Sequence, residues 1–372
     1  MSSVQEGFVR VCAERLRDFA VDVLTTLGVS DRDAQVTAAV LIAADLRGID
    51  SHGVANLWRY VQGLRDGAIT PRPQYHILAE TATILRMDAD AGLGHPASVF
   101  AMRRAIEKAA TTGVGVASVC NSSHYGIAGY YATLALEHNM VGMSMTNAQP
   151  LALPTFGRRA MLGTNPLAVA APAGKERPFV LDMATSVVAQ GKVAICGRLG
   201  KAIPVGWALD GQGCPATDTQ RVLQNLAERL GGGLLGLGGE GETLGGHKGY
   251  GLAIMVDILS GVLSGSAYAD LVCPRQPDGR RLPSGIGHFF LALDVSAFRS
   301  LEEFEADMDD LIHRLKESEK AEGETRIYIP GEKEYEIEEK RHREGIPLHV
   351  QVVTSLEETA LSLGLPSPII SA

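Results

Sequence analysis

Strand-like and helix-like segments alternate between residues 83 and 145, and this alternation restricts the fold more than any other property of the sequence. Short apolar runs rich in β-branched residues separate longer segments with helical spacing. Such an order is typical of layered α/β folds, in which helices cover a sheet. The sequence therefore predicts strands over 83–87, 115–119 and 141–145, with helices over 96–112 and 128–138.

The regions outside this alternation differ from it in character. Apolar residues at helical spacing predict a helix over 8–27, and Ser30 is a good N-cap for a second helix that ends near Gly48. A strand over 349–353 and a last helix capped from Thr354 are expected in the tail. We expect three units: a helical subdomain (1–75 with 345–372), an α/β core (76–146 and 230–344) and an inserted subdomain (147–229).

Charge and composition exclude several classes of partner. Lys and Arg total 34 and Asp and Glu total 43, so the net charge is −9, and no basic block is present. Such a chain is a poor ligand for nucleic acid or an anionic membrane. No apolar run reaches the ~18 residues of a membrane span. The five cysteines form no CxxC pair and no secretory signal is apparent, so reduced thiols in the cytoplasm are expected.

Glycine is concentrated between residues 231 and 251, and two motifs lie there. Residues 236–241 match G-x-G-x-x-G, but no clear strand precedes them and no helix opens at the third glycine, so a lid or linker is favoured over a dinucleotide fingerprint. Residues 245–251 run into a helix, where backbone N–H groups and Lys248 could meet a phosphate. The alternative is a helix-entry turn with a solvated lysine.

His52 is the first candidate catalytic residue. We expect Ser51 to be the N-cap of a helix, which places His52 in its first turn. The positive end of the helix dipole would then lower the pKa of the imidazole, and Ser51 and Asp50 are placed to orient the ring. The alternative is that His52 is only the neighbour of a cap.

His124 is the second candidate, since it lies between a predicted strand and a predicted helix. Open α/β sheets bind ligands at such strand ends. The alternative is a loop histidine bonded to Ser122 or Ser123. Neither His52 nor His124 has a second ligand at i+3 or i+4, which disfavours a metal site.

Asp182 follows an apolar strand-like run and has three possible roles. Its carboxylate could orient a histidine, accept from a ribose hydroxyl or cap the segment that starts at Ala184. No Ser-His-Asp order and no Cys-His pair indicates nucleophilic catalysis.

Several segments form a series of motifs along the chain. The first is Arg-Gly-Ile-Asp-Ser-His-Gly-Val at 47–54. The others lie at 122–131, 162–167, 181–186, 191–192, 203–204, 206–210, 246–252 and 330–332. Each motif is weak alone, but together they cover nearly the whole chain. In this order they resemble the type-2 malate/L-lactate dehydrogenase family, which also contains L-sulfolactate, ureidoglycolate and diketogulonate dehydrogenases and a cyclic-imine reductase.

The resemblance implies a nicotinamide-dependent oxidoreductase with a non-Rossmann, layered mixed-sheet fold, a helical subdomain made from both chain ends and an inserted subdomain. It implies a homodimer with the active site near the interface, in which 76–146 and 230–344 bind the cofactor and 147–229 serves the substrate and the dimer. The cofactor, NAD or NADP, would contact Asn147, Gln149, Leu181, Asp182, Met183, Ala184, His247, Lys248, Pro330, Gly331 and Glu332.

The resemblance also implies that His52 and His124 are the catalytic-site histidines, and we favour His124 as the acid/base because it lies at a strand end. A histidine titrates near neutral pH and can serve both directions of a hydride transfer. Many relatives carry an arginine four residues after the first histidine, where this chain has Asn56. Arg59, about one helical turn further on, or Arg47 could bind the substrate carboxylate instead.

The sequence thus predicts a dehydrogenase that interconverts a small 2-hydroxy acid, malate or L-lactate, and its 2-oxo acid. Asn56 leaves open two alternatives in the same family: a reductase of a cyclic imine and a dehydrogenase of a ureido or sulfo acid. A third alternative is a homologue that binds the nucleotide without turnover.

Overall fold

A seven-stranded mixed sheet forms the centre of the protein. The computed structural model describes residues 7–274, 276 and 280–369. Their strands are β1 (Phe8–Val11), β2 (His76–Glu80), β3 (Ile84–Asp88), β4 (Val114–Ser122), β5 (Met140–Thr146), β6 (Leu167–Ala171), β7 (Phe179–Met183), β8 (Ala208–Leu209), β9 (Gly233–Leu234), β10 (Ile286–Asp294) and β11 (Ile346–His349).

The order of strands in this sheet is β2-β3-β4-β10-β5-β6-β7. β3 and β4 run parallel, and the other neighbours run antiparallel. A Rossmann fold is built on a mostly parallel sheet. The prediction of an α/β protein with a non-Rossmann mixed sheet is therefore confirmed.

Helices cover both faces of the large sheet. α4 and α5 pack on one face, and α8 with the π-helical turn Ile258–Val262 packs on the other. The helices of the described chain are α1 (Ala13–Thr26), α2 (Asp31–Leu46), α3 (Leu57–Arg65), α4 (Gly94–Thr112), α5 (Ala128–Thr133), α6 (Gln190–Arg198), α7 (Thr219–Glu228), α8 (Gly246–Asp257), α9 (Leu301–Glu317), α10 (Glu332–Glu344) and α11 (Val350–Leu363).

β10 shows why its apolar run is continuous. Phe290 and Ala292 join the core under α4 and α5, whereas Phe289 and Leu291 join the core under α8. Successive side chains of a strand point to opposite faces, so a strand that is covered on both faces needs no polar alternation.

The two ends of the chain meet. β1 pairs antiparallel with β11, and α1 packs against α2 and α11. The prediction of one helix over 8–27 is wrong at its start, because Phe8–Val11 forms a strand that needs a partner from the other chain end. A pairing partner more than 300 residues away leaves no local trace in the sequence.

The predicted tail is also shifted. The strand ends at His349 instead of beginning there, and α11 starts at Val350 rather than at Thr354. The ring of His349 accepts a hydrogen bond from the backbone N–H of Gln351, so a histidine caps this helix where Ser and Thr were expected to do so.

The division into three units stays a prediction. It assigns β6 and β7 to the inserted segment 147–229, but both belong to the large sheet, where β6 pairs with β5 and β7 pairs with β6 at the edge. Within the described residues, no helix has the length and apolar character that crossing a bilayer requires.

Candidate active site

His52 lies in a turn between two helices rather than in the first turn of a helix. α2 ends at Leu46, a single 3₁₀ turn spans Val54–Asn56, and α3 begins at Leu57. The prediction that Ser51 is an N-cap is therefore wrong, and so is the argument from the helix dipole. Ser51 does orient the ring, because its Oγ lies 2.8 Å from Nδ1 of His52.

His124 lies in the loop between β4 and α5, and its ring is held from α3. The hydroxyl of Tyr60 lies 2.7 Å from Nδ1 of His124. The ring centroids of His52 and His124 are 5.7 Å apart, and their planes are inclined by 23°. The structure thus brings both predicted histidines together, although 71 residues separate them in the chain. The expected alternative bond to Ser122 or Ser123 is not what holds this ring.

Both histidines are kept neutral, chiefly by burial. Desolvation, with the charge of Arg59 second, lowers the pKa of His52 to about 4. The same two causes hold the pKa of His124 well below its usual range. A neutral imidazole is a proton acceptor, and so this pair is suited to take a proton from an alcohol.

Tyr60 was not recognised as a site residue from the sequence. It belongs to the apolar face of α3 and is almost fully buried, so its spacing indicated only a core position. Burial raises the pKa of its phenol well above the usual range, which keeps the hydroxyl protonated. A hydroxyl both donates and accepts, so Tyr60 can hold the His124 ring in the neutral and in the charged form.

Among the charged side chains, Arg59 has the largest effect on the pKa values of His52 and His124. Its charge lowers the pKa of His52, His124 and the buried His95. Its side chain is half-buried, and no carboxylate of the described residues forms an ion pair with it. A half-buried guanidinium beside neutral histidines is a ready site for a carboxylate.

Arg47, the other arginine considered for that role, is already engaged, and so is Asn56. Nδ2 of Asn56 donates to the backbone oxygen of Ser51 at 2.6 Å. Arg47 forms an ion pair of 3.2 Å with Glu338 and lies over the ring of Tyr335. Arg59 is therefore the better candidate for binding a substrate anion.

A cavity lies where β7 ends, beside the loop that precedes α10. It joins four of the predicted cofactor contacts, since Leu181, Asp182, Pro330 and Gly331 all line it. Its walls are mostly apolar, with two carboxylates. The remaining lining residues are Arg47, Ile49, Ile127, Gly129, Val180, Glu334 and Tyr335.

Asp182 is fixed in this cavity by the backbone of α5. Its Oδ2 accepts from the N–H of Gly129 at 2.7 Å, and a Cβ at position 129 would lie 2.9 Å from that oxygen. Burial raises the pKa of Asp182 to about 6. The sequence also left open that Asp182 caps the segment from Ala184 or orients a histidine. This contact serves neither of those two roles. A carboxylate beside apolar walls fits the ribose and base of a nucleotide.

Gly331 brings the backbone of its loop close to β7. Its φ is +98°, and a Cβ there would lie 3.1 Å from the Cβ of Val180. Glu332 is buried and pairs with Lys316 at 2.8 Å, so its carboxylate holds the loop and does not line the cavity.

The other predicted cofactor residues lie outside the cavity lining. The side chain of Asn147 is buried and fully engaged, since it donates to Asp257 and to the backbone oxygen of Ala267 and accepts from the N–H of Gly287. Gln149 contacts Gln190 at 3.3 Å. Met183 is the last residue of β7 and Ala184 follows it, and neither lines the cavity. His247 and Lys248 are exposed in the first turn of α8.

Potential metal ligands do not cluster in the part of the chain that the structure describes. No group of three or more His, Cys, Asp or Glu side chains there is arranged to hold an ion. The five cysteines are all unpaired.

Comparisons with known proteins agree with the fold and identify the family. The family model for malate/L-lactate dehydrogenase matches residues 11–357. The malate dehydrogenase of Pyrococcus horikoshii is 46% identical over 362 residues, which are 97% of this chain and 98% of that protein. The solved structure of a malate dehydrogenase from the same species superimposes with a TM-score of 0.88 at 43% identity and covers 99% of each chain.

Two more distant relatives are named with their cofactors. The ureidoglycolate dehydrogenase (NAD(+)) of Escherichia coli is 30% identical over 95% of this chain and 96% of that protein. The (2R)-3-sulfolactate dehydrogenase (NADP(+)) of Chromohalobacter salexigens is 32% identical over 92% of this chain and 96% of that protein. Their names differ in both substrate and cofactor.

Proposed function

This chain belongs to the malate/L-lactate dehydrogenase family, and we propose that it interconverts a small 2-hydroxy acid, malate or L-lactate, and its 2-oxo acid with NAD or NADP. The observation that carries the proposal is the pair of neutral histidines with the ring of His124 held by Tyr60. The nicotinamide ring, when bound, supplies the acceptor or donor of the hydride.

His124 moves the proton in this proposal. During oxidation its neutral ring takes the proton of the substrate hydroxyl, and during reduction the charged ring returns a proton to the substrate oxygen. Tyr60 keeps the ring oriented in both states. The negative charge of a bound acid raises the pKa of His124, which brings the charged form within reach at neutral pH. His52 lies beside it as a partner or an alternative acid/base.

Arg59 binds the substrate carboxylate in this proposal. Its guanidinium presents several donors in one plane, which match the two oxygens of a carboxylate. The likeness to a malate dehydrogenase supports an acid substrate. Asn56, which fixes Ser51, leaves the carboxylate to Arg59 and distinguishes this chain from relatives with an arginine there.

The cavity beside β7 would hold part of the dinucleotide. Leu181, Pro330 and Gly331 offer apolar wall and close backbone, and Asp182 offers an acceptor for ribose hydroxyls. Both cofactors occur among the relatives, so each is a candidate.

The unpaired cysteines support the expected placement in the cytoplasm, which stays a prediction.

We also propose a homodimer that covers the outer face of α8 and its π-helical turn. Ile258, Val262 and Leu263 are each about half exposed there and form a continuous apolar surface. Such surfaces are typical of protein contacts. His247 and Lys248, which are expected to meet the cofactor, lie at the opposite end of the same helix, about 16 Å away along its axis.

A steady-state assay tests the activity directly. Malate, L-lactate, oxaloacetate and pyruvate are measured with both cofactors, beside a cyclic imine, a ureido acid and a sulfo acid. Turnover of malate or lactate supports the proposal. Turnover confined to the imine, ureido or sulfo acids selects another substrate, and cofactor binding without any turnover identifies a nucleotide-binding homologue.

A further inference from the structure

The turn that carries His52 is held by a residue from the far end of the chain. Arg341, on α10, donates through both terminal nitrogens to the carboxylate of Asp50, with Nη2 at 3.2 Å from Oδ2, and Nη1 also donates to the backbone oxygen of Asp45. The Arg341 side chain is 13% exposed and that of Asp50 is 47% exposed, so the guanidinium side of this two-pronged bond is shielded from water and the carboxylate side is only partly so. Such forks fix geometry as well as charge.

Asp45, near the end of α2, also restrains this turn. Oδ2 of Asp45 accepts from the N–H of Val54 at 2.8 Å. A Cβ on Gly53 would lie 1.8 Å from the other carboxylate oxygen, so only glycine fits over Asp45. The N–H of His52 donates to the oxygen of Ile49 at 2.9 Å.

α10 links this turn to the cavity beside β7. The helix begins at Glu332, directly after the loop whose Pro330 and Gly331 line the cavity, and Arg341 lies in its last turns. Glu338, between them, pairs with Arg47 at the end of α2. A helix is stiff over this length, so the position of its last turns follows that of its first.

We propose that Arg341 is a positioning residue, which acts through Asp50 to hold His52 in place against His124. The inference rests on the proposed function for its kinetic consequence, but not for its geometry. Arg341 touches neither of the two histidine rings. Its loss would let the 49–53 turn move, and a displacement of about 1 Å can cost about 100-fold in rate.

The experiment compares Arg341→Met with Arg341→Lys, Asp50→Asn and the double variant. Arg10→Met is the matched control, because Arg10 pairs at 3.1 Å with Glu344 at the same end of α10 and is not in contact with the turn. Two readouts are taken: kcat and KM for the 2-hydroxy acid, and the rate at which diethyl pyrocarbonate modifies His52, with the exposed His76 as internal standard.

The expected result is a fall in kcat of about 10- to 100-fold in Arg341→Met, with cofactor KM nearly unchanged and His52 modified several-fold faster. Asp50→Asn should reproduce most of this, the double variant should be no worse than either, and Arg341→Lys should recover part. Arg10→Met should behave as the wild type.

Equal His52 modification in the wild type and Arg341→Met would overturn the inference, as would additive losses in the double variant. If Arg341→Met does not fold, Asp50→Asn decides, because that side chain is about half exposed. A wild type without activity on any acid contradicts the proposed function alone, since the modification rate needs no turnover.

Discussion

At the residue scale, the catalytic proposal depends on the imidazoles of His124 and His52. We expect His124→Ala to lower kcat by about 100- to 10,000-fold, because general acid–base catalysis contributes that much. His52→Ala should lower it as well. Cofactor affinity, measured by fluorescence titration, should change little in both. His76→Ala, on the exposed strand β2, serves as the control. Wild-type turnover in both variants would refute the assignment.

The substrate carboxylate gives a second prediction at this scale. Arg59→Met should raise KM for the acid by about 10- to 100-fold, as expected for loss of a charge-assisted hydrogen bond. Because the charge of Arg59 lowers the pKa of His52 and His124, its removal should also shift the pH profile of kcat/KM toward higher pH. Arg72→Met is the control, since Arg72 bonds to the backbone of Gly28. An unchanged KM for the acid would exclude Arg59 as the residue that binds the substrate carboxylate.

Sequence reasoning singled out the two candidate histidines, which the structure brings together, but not their surroundings. His52 and His124 could be singled out because the sequence predicts a helix start beside the first and a strand end beside the second. The bond from Tyr60 to His124 could not, because an apolar helix face predicts only burial. The low pKa of His52 was expected, but from a helix dipole, whereas burial and Arg59 produce it. Contacts between distant segments decide such environments.

At the scale of elements, local patterns predicted most of the sheet. β3, β4 and β5 lie at the predicted strands 83–87, 115–119 and 141–145, and β7 contains the strand-like run that precedes Asp182. β1 and β11 were missed or misplaced because each exists only through pairing with the other. Order within the sheet could not be predicted either, since β10 lies between β4 and β5 although it follows them by more than 130 residues.

The outer face of α8 gives the prediction that belongs to this scale. Val262→Glu combined with Ile258→Glu should convert a dimer into a monomer, because each change places a charge on the apolar surface that we assign to the partner copy. Molar mass from light scattering measures this. Leu311→Glu, on the exposed face of α9, is the control. A mass that stays dimeric in the double variant would place the interface elsewhere.

At the scale of the whole molecule, four histidines with pKa values lowered by burial make the stability depend on pH. Burial lowers the pKa of His52 to about 4 and those of His95 and His288 to about 3, and His124 is also low. In the unfolded chain these rings bind protons at about pH 6.5. The unfolded state therefore binds more protons below that pH, and the free energy of unfolding must fall as pH drops from about 6.5 toward 4.

Asp45 acts in the opposite sense. Burial raises its pKa to about 8, so the folded state holds a proton that the unfolded state has lost, and stability falls as pH rises toward 8. We expect a maximum of Tm near pH 6.5. Asp45→Asn keeps an acceptor for Val54 and should remove the loss on the alkaline side only. A Tm that is flat between pH 4 and 6.5 would contradict this account of the buried histidines.

The central claim is that hydride transfer takes place beside His124 and His52, and a crystal structure with a bound nicotinamide dinucleotide tests it most directly. The account predicts that the reactive ring carbon lies next to these imidazoles, with the rest of the cofactor running toward Asp182 and Gly331. A ring carbon far from both histidines would contradict it.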